Sequence, residues 1–406
     1  MTKLGVLFSV LGVGAGCIPA FAQKQLPNII VMLSDDQGWG DLGFTGNTFV
    51  QTPNIDRIAH EGTILENFYV CPVSSPTRAE FLTGRYHVRS GVNSTTGGGE
   101  RFNLGEKTIA EYFREAGYAT SLFGKWHSGT QYPYHPNARG FEEFYGFCSG
   151  HWGNYWNPVL EHNGEIISGE GFIIDDLTDK ALDYIRDHKE HPFFMFLSYN
   201  TPHSPMQVPD SWWNRVKDRT LSQRATFPEQ EDTTFTKAAL ALAENLDWNI
   251  GRVLSLLHSL DLEQETIVIY FSDNGPNSFR WNGGMKGRKG STDEGGVRSP
   301  FCIRWPGHIR KGAVETQLSG AIDLIPTLLG LAGIEYTPLR KLDGIDWGQR
   351  LLDEKAPAMD RVLYSYWGGK TSVRIPYYLL DAEDHLYKTD IDREQRKDCL
   401  LYTSDA

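Results

Sequence analysis

Cysteine is scarce in this sequence: 5 among 406 residues, at Cys17, Cys71, Cys148, Cys302 and Cys399, with no pair at C-x-x-C spacing. That scatter argues against a disulfide framework and against the usual thiolate metal sites. Positive charge is also in deficit. Lys plus Arg number 39 against 51 Asp plus Glu, a net charge of -12, which argues against nucleic acid as a partner. The N-terminal apolar run, residues 4–13, is too short to span a bilayer, so no stable membrane insertion is expected. Internal repeats and low-complexity linkers are missing. What remains is ordinary globular composition, 40% hydrophobic and 22% charged, long enough for one large core or two. An anionic ligand would have to be drawn by a local basic pocket, not by overall charge.

The first 22 residues read as an export signal: Lys3 supplies charge, residues 4–13 the apolar segment, and Ala20-Phe21-Ala22 a small-x-small cleavage site. A periplasmic or secreted protein is expected, with Cys17 as a candidate lipid anchor.

Beyond it the patterning is α/β. Residues 26–33 (Leu-Pro-Asn-Ile-Ile-Val-Met-Leu) form a continuous apolar run ending in Ser34-Asp35-Asp36, the signature of a buried parallel strand. Residues 266–271 repeat the theme and end in Ser272-Asp273-Asn274-Gly275; residues 119–123 lead into Gly124-Lys125-Trp126-His127; residues 193–199 are followed by His203 on a proline-stiffened loop. Ligands gather beyond the carboxyl ends of such strands. Adjacent carboxylates there repel each other unless a cation or proton relieves them. Asp35, Asp36, Asp273 and Asn274, with Ser74 placed to add another, offer only oxygen ligands, which favours Ca²⁺ or Mg²⁺ over zinc. Helices are predicted over residues 53–61, 106–116, 174–189, 235–260 and 322–332, and short strands over 299–305, 361–367, 372–374 and 377–381. Residues 131–171, rich in Tyr132, Tyr134, His135, His151, Trp152, Tyr155 and Trp156, read as long loops that either stack on sugar rings or cover the core.

The organising stretch is Pro72-Val-Ser-Ser-Pro-Thr-Arg-Ala-Glu-Phe-Leu-Thr-Gly84. Pro76 suits a helix entry. Ser74 at that mouth is either a cap or a nucleophile beside free N–H groups and the positive helix end, with Arg78 a turn further on. Residues 280–296 form a basic, glycine-rich loop able to surround an oxyanion, with Lys286 and Lys289 as candidates.

These residues resemble the type I sulfatase family. The C/S-x-P-x-R core followed by Thr-Gly is filled at every position from Pro72 to Gly84. A second signature spans Gly117 to His127, departing only at Phe123, and Lys-Gly-x-x-x-Glu-Gly-Gly falls on residues 289–296. The resemblance implies an alkaline-phosphatase-like fold, a large mixed, mostly parallel sheet flanked by helices, with a small C-terminal sheet-plus-helix subdomain. It implies sulfate ester hydrolysis, on sulfated saccharide, through formylglycine made from Ser74, with Ca²⁺ preferred to Mg²⁺. A Ser rather than a Cys at this position implies an anaerobic, radical-type maturing enzyme. Arg78, Lys125 and Lys289 would hold sulfate. His203 would protonate the leaving oxygen and His127 would act as base, roles the sequence leaves exchangeable. The expected divisions are residues 1–22, a catalytic domain over 23–335, a subdomain over 336–398, and a non-native tail over 399–406, which resembles translated sequencing-adapter DNA. A phosphoester hydrolase of the same superfamily and an immature glycan-binding protein are the alternatives.

Overall fold

The computed structural model describes residues 1–2 and 26–402. The export-signal expectation, Cys17 included, lies outside the described residues, as do residues 403–406 of the tail. Ten strands build the main sheet: β1 (Asn28–Ser34), β2 (Thr63–Leu65), β3 (Ala119–Lys125), β4 (Glu143–Phe147), β5 (Val159–His162), β6 (Glu165–Ser168), β7 (Phe193–Ser198), β8 (Thr266–Ser272), β9 (Phe301–Arg304) and β10 (Ala313–Glu315). Their order is β10-β2-β9-β8-β1-β7-β3-β4-β5-β6. The centre, β8-β1-β7-β3-β4, is parallel, and antiparallel strands β9 and β5 flank it.

The continuous apolar runs become central strands because helices cover both faces. In β1, Ile29, Val31 and Leu33 pack with the helices Ser74–Thr83, Ile109–Glu115 and Leu324–Ala332, whereas Ile30 and Met32 pack with Pro53–Glu61, Ile173–Asp187 and Thr233–Ser259. A second, four-stranded antiparallel sheet (Leu363–Trp367, Lys370–Ile375, Tyr378–Leu380, Leu386–Lys388) follows. It is tied to the main body by Arg374, which donates to Glu294 Oε1 (3.0 Å) and to the Thr292 carbonyl (2.7 Å). The short helix Gly348–Leu352 sends Leu351 into the main core beside Trp347. Among the described residues no helix is long and apolar enough to cross a membrane.

One expectation is corrected. Residues 131–171 are not only loops: they carry β4, β5 and β6, three strands of the main sheet. Asn163 and Gly164 have φ of 49° and 95° and turn β5 into β6, the Asn-Gly hairpin signal hidden among aromatic residues. Gly124 shows why the second motif carries a glycine there: its φ is +110°, and a Cβ would lie 2.0 Å from the Ser198 carbonyl oxygen. Phe123, the departure from that motif, is buried with its ring 5.7 Å from Tyr184.

The helix that starts at Ser74 is docked on the sheet by Phe81, whose ring meets Phe196 at 5.0 Å and Phe271 at 5.9 Å, both edge-on. Gly84 closes it in the left-handed region, with its N–H on the Glu80 carbonyl (2.8 Å). Phe81→Ala is expected to cost about 3–5 kcal/mol of unfolding free energy, read by denaturant titration. A loss under about 1 kcal/mol would mean that this contact does not hold the helix.

Candidate active site

Four neighbouring strands deliver their carboxyl ends to one place. Asp273 and Asn274 follow β8, Asp35 and Asp36 follow β1, Ser198 ends β7, and Lys125 ends β3 with His127 just beyond. The Ser74–Thr83 helix points its first residue there, and Ser74 is 2% exposed. Thr77, one turn in, donates to the Asp273 carbonyl at 2.6 Å and so ties the helix to β8.

Arg78 has no exposed side-chain surface. Its Nε donates to Ser74 Oγ (2.9 Å), Nη1 to the Lys125 carbonyl (2.9 Å) and Ser198 Oγ (2.6 Å), and Nη2 to Asp273 Oδ2 (3.2 Å). His127 lies on the other side of Ser74. Its Nε2 meets the Thr95 carbonyl at 2.9 Å and must carry the proton, which leaves Nδ1, 3.2 Å from Ser74 Oγ, as an acceptor for the hydroxyl. Burial, and then the positive charge of Lys125, hold this imidazole well below the ordinary histidine range. It is neutral near pH 7 and can accept a proton.

Lys125 Nζ donates to Asp35 Oδ2 at 2.6 Å. Burial works against the Asp35 charge, but Lys125, His203 and Arg78 outweigh it and the carboxyl lies below its usual range. Lys289 Nζ is 2.6 Å from Asp36 Oδ1. Burial opposes its charge too, and Asp36 and Asp35 more than compensate, raising it. Lys286, the other candidate, instead faces Asp293 (3.4 Å) and the Tyr387 ring (5.7 Å). The Lys289 loop is pinned to the segment just before Ser74 by Gly290 N–H on the Pro72 carbonyl (2.7 Å).

Asp36, at φ of 63°, accepts from Asn274 Nδ2 (2.8 Å) through Oδ1, and its N–H donates to Asp273 Oδ1 (3.2 Å). Three buried oxygens in this cluster have no hydrogen-bond partner: Asp35 Oδ1, Asp36 Oδ2 and Asn274 Oδ1. Unpaired buried acceptors on anionic groups are costly, and this donor set suits a hard cation. His203 donates Nδ1–H to the Ser204 carbonyl (2.8 Å), which turns Nε2 toward Asp36 Oδ2 at 3.6 Å. Its side chain, 20% exposed, is reachable from outside.

The structure therefore brings together Ser74, Arg78, Lys125, His127, His203, Lys289, Asp35, Asp36, Asp273 and Asn274. Three residues that no motif marks also shape the site. Ser198 orients Arg78 and the Lys125 carbonyl (2.7 Å), and its strand-end position was the available signal. Arg280 braces the Asp36 carbonyl (2.8 Å) while paired with buried Asp41 (2.6 Å). Tyr155, read as a sugar-stacking or covering ring, is fully buried and donates its hydroxyl to the His203 carbonyl (2.6 Å).

Comparison with known proteins places the chain in a family. The Sulfatase family model matches residues 27–334, and that for the C-terminal region of N-sulphoglucosamine sulphohydrolase matches residues 289–388. The chain is 32% identical over 402 residues to N-acetylgalactosamine-6-sulfatase of Mus musculus, covering 90% of this chain and 72% of the mouse protein. It is also 32% identical to the Homo sapiens protein of that name over 392 residues, covering 88% and 70%. The crystal structure of Ps i-CgsB in complex with k-i-k-neocarrahexaose superposes with a TM-score of 0.82 at 29% identity, covering 94% of this chain and 90% of the other. On the family match and the strand-end site together, the chain belongs to the type I sulfatase family and is a sulfuric ester hydrolase.

Proposed function

We propose that the protein hydrolyses sulfate esters of carbohydrates at Ser74, matured to formylglycine by an anaerobic radical-type enzyme, beside one Ca²⁺. The observation that carries this reading is the double hold on Ser74 Oγ by Arg78 Nε (2.9 Å) and His127 Nδ1 (3.2 Å) at a buried helix start. Formylglycine at position 74, as its hydrate, would offer two hydroxyls on one carbon, one to displace the sugar oxygen from sulfur and the other to expel sulfate as the aldehyde re-forms. Asp35, Asp36, Asp273 and Asn274, with the group at position 74, would hold a Ca²⁺, which would supply Lewis-acid stabilisation of sulfate oxygens.

The chain's own residues do the rest. Arg78, Lys125 and Lys289 surround the sulfate oxygens with preorganised positive charge in a water-poor pocket, where such charge counts most. His127, neutral and pointed at Oγ, takes a proton from the hydroxyl at position 74. His203 Nε2, on the accessible side, gives a proton to the departing sugar oxygen. A saccharide substrate is supported by the relatives, an N-acetylgalactosamine-6-sulfatase and a protein crystallised with a neocarrahexaose. A phosphoester hydrolase is the second reading. A ring nitrogen of His203 lies within 4.8 Å of carboxylate oxygens of Asp35 and Asp36, as a zinc site would use it, but the buried acceptors of the cluster without a hydrogen-bond partner are all oxygens.

Three outcomes are expected. After co-expression with an anaerobic maturing enzyme, the peptide across Ser74 loses about two mass units, serine becoming aldehyde. An unmodified peptide, with the maturing enzyme active on a control, would favour the phosphoester reading. Millimolar Ca²⁺ raises the melting temperature of the wild type by mass action and leaves Asp36→Asn unchanged; superimposable wild-type curves would sink the cation site. His203→Ala lowers kcat on sugar sulfates by about 10²–10⁴-fold but acts far less on aryl sulfates, whose phenolates leave without a proton. Equal losses on both would remove His203 from the leaving-group role.

A further inference from the structure

We propose that the cleft beside His127, walled by Arg101, Tyr132 and Tyr134, is a second anion subsite. It would receive the carboxylate or sulfate of the sugar next to the one being desulfated. The proposal rests on the sulfate-ester reading of the Ser74 pocket.

The cleft is attached to the catalytic centre through its walls. Residues 93–101 (Asn-Ser-Thr-Thr-Gly-Gly-Gly-Glu-Arg) fold into a compact loop, with the N–H groups of Asn93 and Ser94 both on the Gly99 carbonyl (2.9 and 3.1 Å). The loop lies over the nucleophile: the Thr95 carbonyl accepts from His127 Nε2 (2.9 Å), and the Ser94 carbonyl accepts from Ser75 Oγ (2.9 Å). Its last residue, Arg101, runs its stem against Gly129, two positions after His127. A Cβ on Gly129 would lie 2.5 Å from Tyr134 Cβ and 3.0 Å from Arg101 Cγ. The loop of residues 93–101 thus touches Ser75 and His127 on one side and lines the cleft on the other.

The chemistry of the walls points to an anion on a sugar. The open space is about 300 Å³, at the small end of ligand sites. The Arg101 guanidinium stacks 4.9 Å from the centre of the Tyr134 ring. Its Nε donates to the Gly98 carbonyl (3.0 Å), and it forms no ion pair among the described residues. Glu100, on the same wall, turns Oε2 to the Gly98 N–H (2.8 Å) instead. Gly98 leaves room for the guanidinium to settle on the loop, since a Cβ there would meet Nη2 at 2.4 Å. In a chain of net charge -12, an exposed arginine with two terminal nitrogens uncommitted to a carboxylate is suited to bidentate recognition of carboxylate or sulfate. Tyr132, 84% exposed, adds an aromatic face for a sugar ring.

The test uses full-length protein. Matured wild type, Arg101→Ala and Arg101→Lys are assayed on N-acetylgalactosamine 6-sulfate alone and on disaccharides that carry it next to glucuronate, a sulfated galactose or neutral galactose. Binding of the same sugars is titrated by calorimetry to Ser74→Ala with and without Arg101→Ala, so that the reading does not depend on turnover. We expect Arg101→Ala to raise KM and Kd about tenfold for an anionic neighbour, as for the loss of a charged hydrogen bond. Lysine should recover part of this, the monosaccharide and the neutral disaccharide should stay within about twofold, and the difference should shrink in high salt. Whether the carboxylate or the sulfated neighbour shows the loss identifies the anion. Equal loss on the neutral disaccharide, or no loss on either anionic one, overturns the subsite. If wild type binds with the Arg101 dependence but hydrolyses no sulfate ester, the proposed function fails and the subsite stands. If it hydrolyses them without that dependence, the subsite alone fails.

Discussion

Arg78 carries its charge to a place with no exposed surface and is accepted there by four oxygens on four separate parts of the chain: Ser74, the Lys125 carbonyl, Ser198 and Asp273. A buried guanidinium left unpaired would cost several kcal/mol, so the Ser74–Thr83 helix and the ends of β3, β7 and β8 must meet in one geometry. Its planar fork makes that geometry directional. Lysine would supply the charge but not the simultaneous hold on four groups.

The same logic governs the wider site. Asp35, Asp36 and Asp273 face Lys125, Lys289 and Arg78 in direct ion pairs. The pairing leaves one oxygen each of Asp35, Asp36 and Asn274 without a hydrogen-bond partner. The protein satisfies its own charges only in part, and the residue is a concentrated oxygen-lined position suited to a hard cation. The second sheet contributes at a distance: Arg374 grips Glu294, which lies in the same glycine-rich loop as Lys289, so the position of the lysine that meets Asp36 depends on packing 80 residues along the chain from Glu294.

How much of this was legible differs by element. The central strands and their acidic ends were readable because continuous apolar runs have few other uses in a soluble domain. Ser74, Arg78, Lys125 and His127 were readable from motif spacing, and the structure brings them to one point. Strands β4 to β6 were not, because aromatic and glycine-rich composition masks a period of two, and their pairing depends on β3 lying alongside. Tyr155 illustrates the limit: a tyrosine has the same composition signal whether its ring faces sugar or fills the core.

The sequence by itself determined the fold class, the strand-end acids and the residue types of the site, since these follow from local pattern and from the chemistry of each side chain. Only the tertiary structure decided which nitrogen of His127 faces Ser74, and that Ser198, Arg280 and the loop of residues 93–101 belong to the site. Those choices are made by distances of a few ångströms between segments far apart in the chain, and no periodicity or motif encodes them.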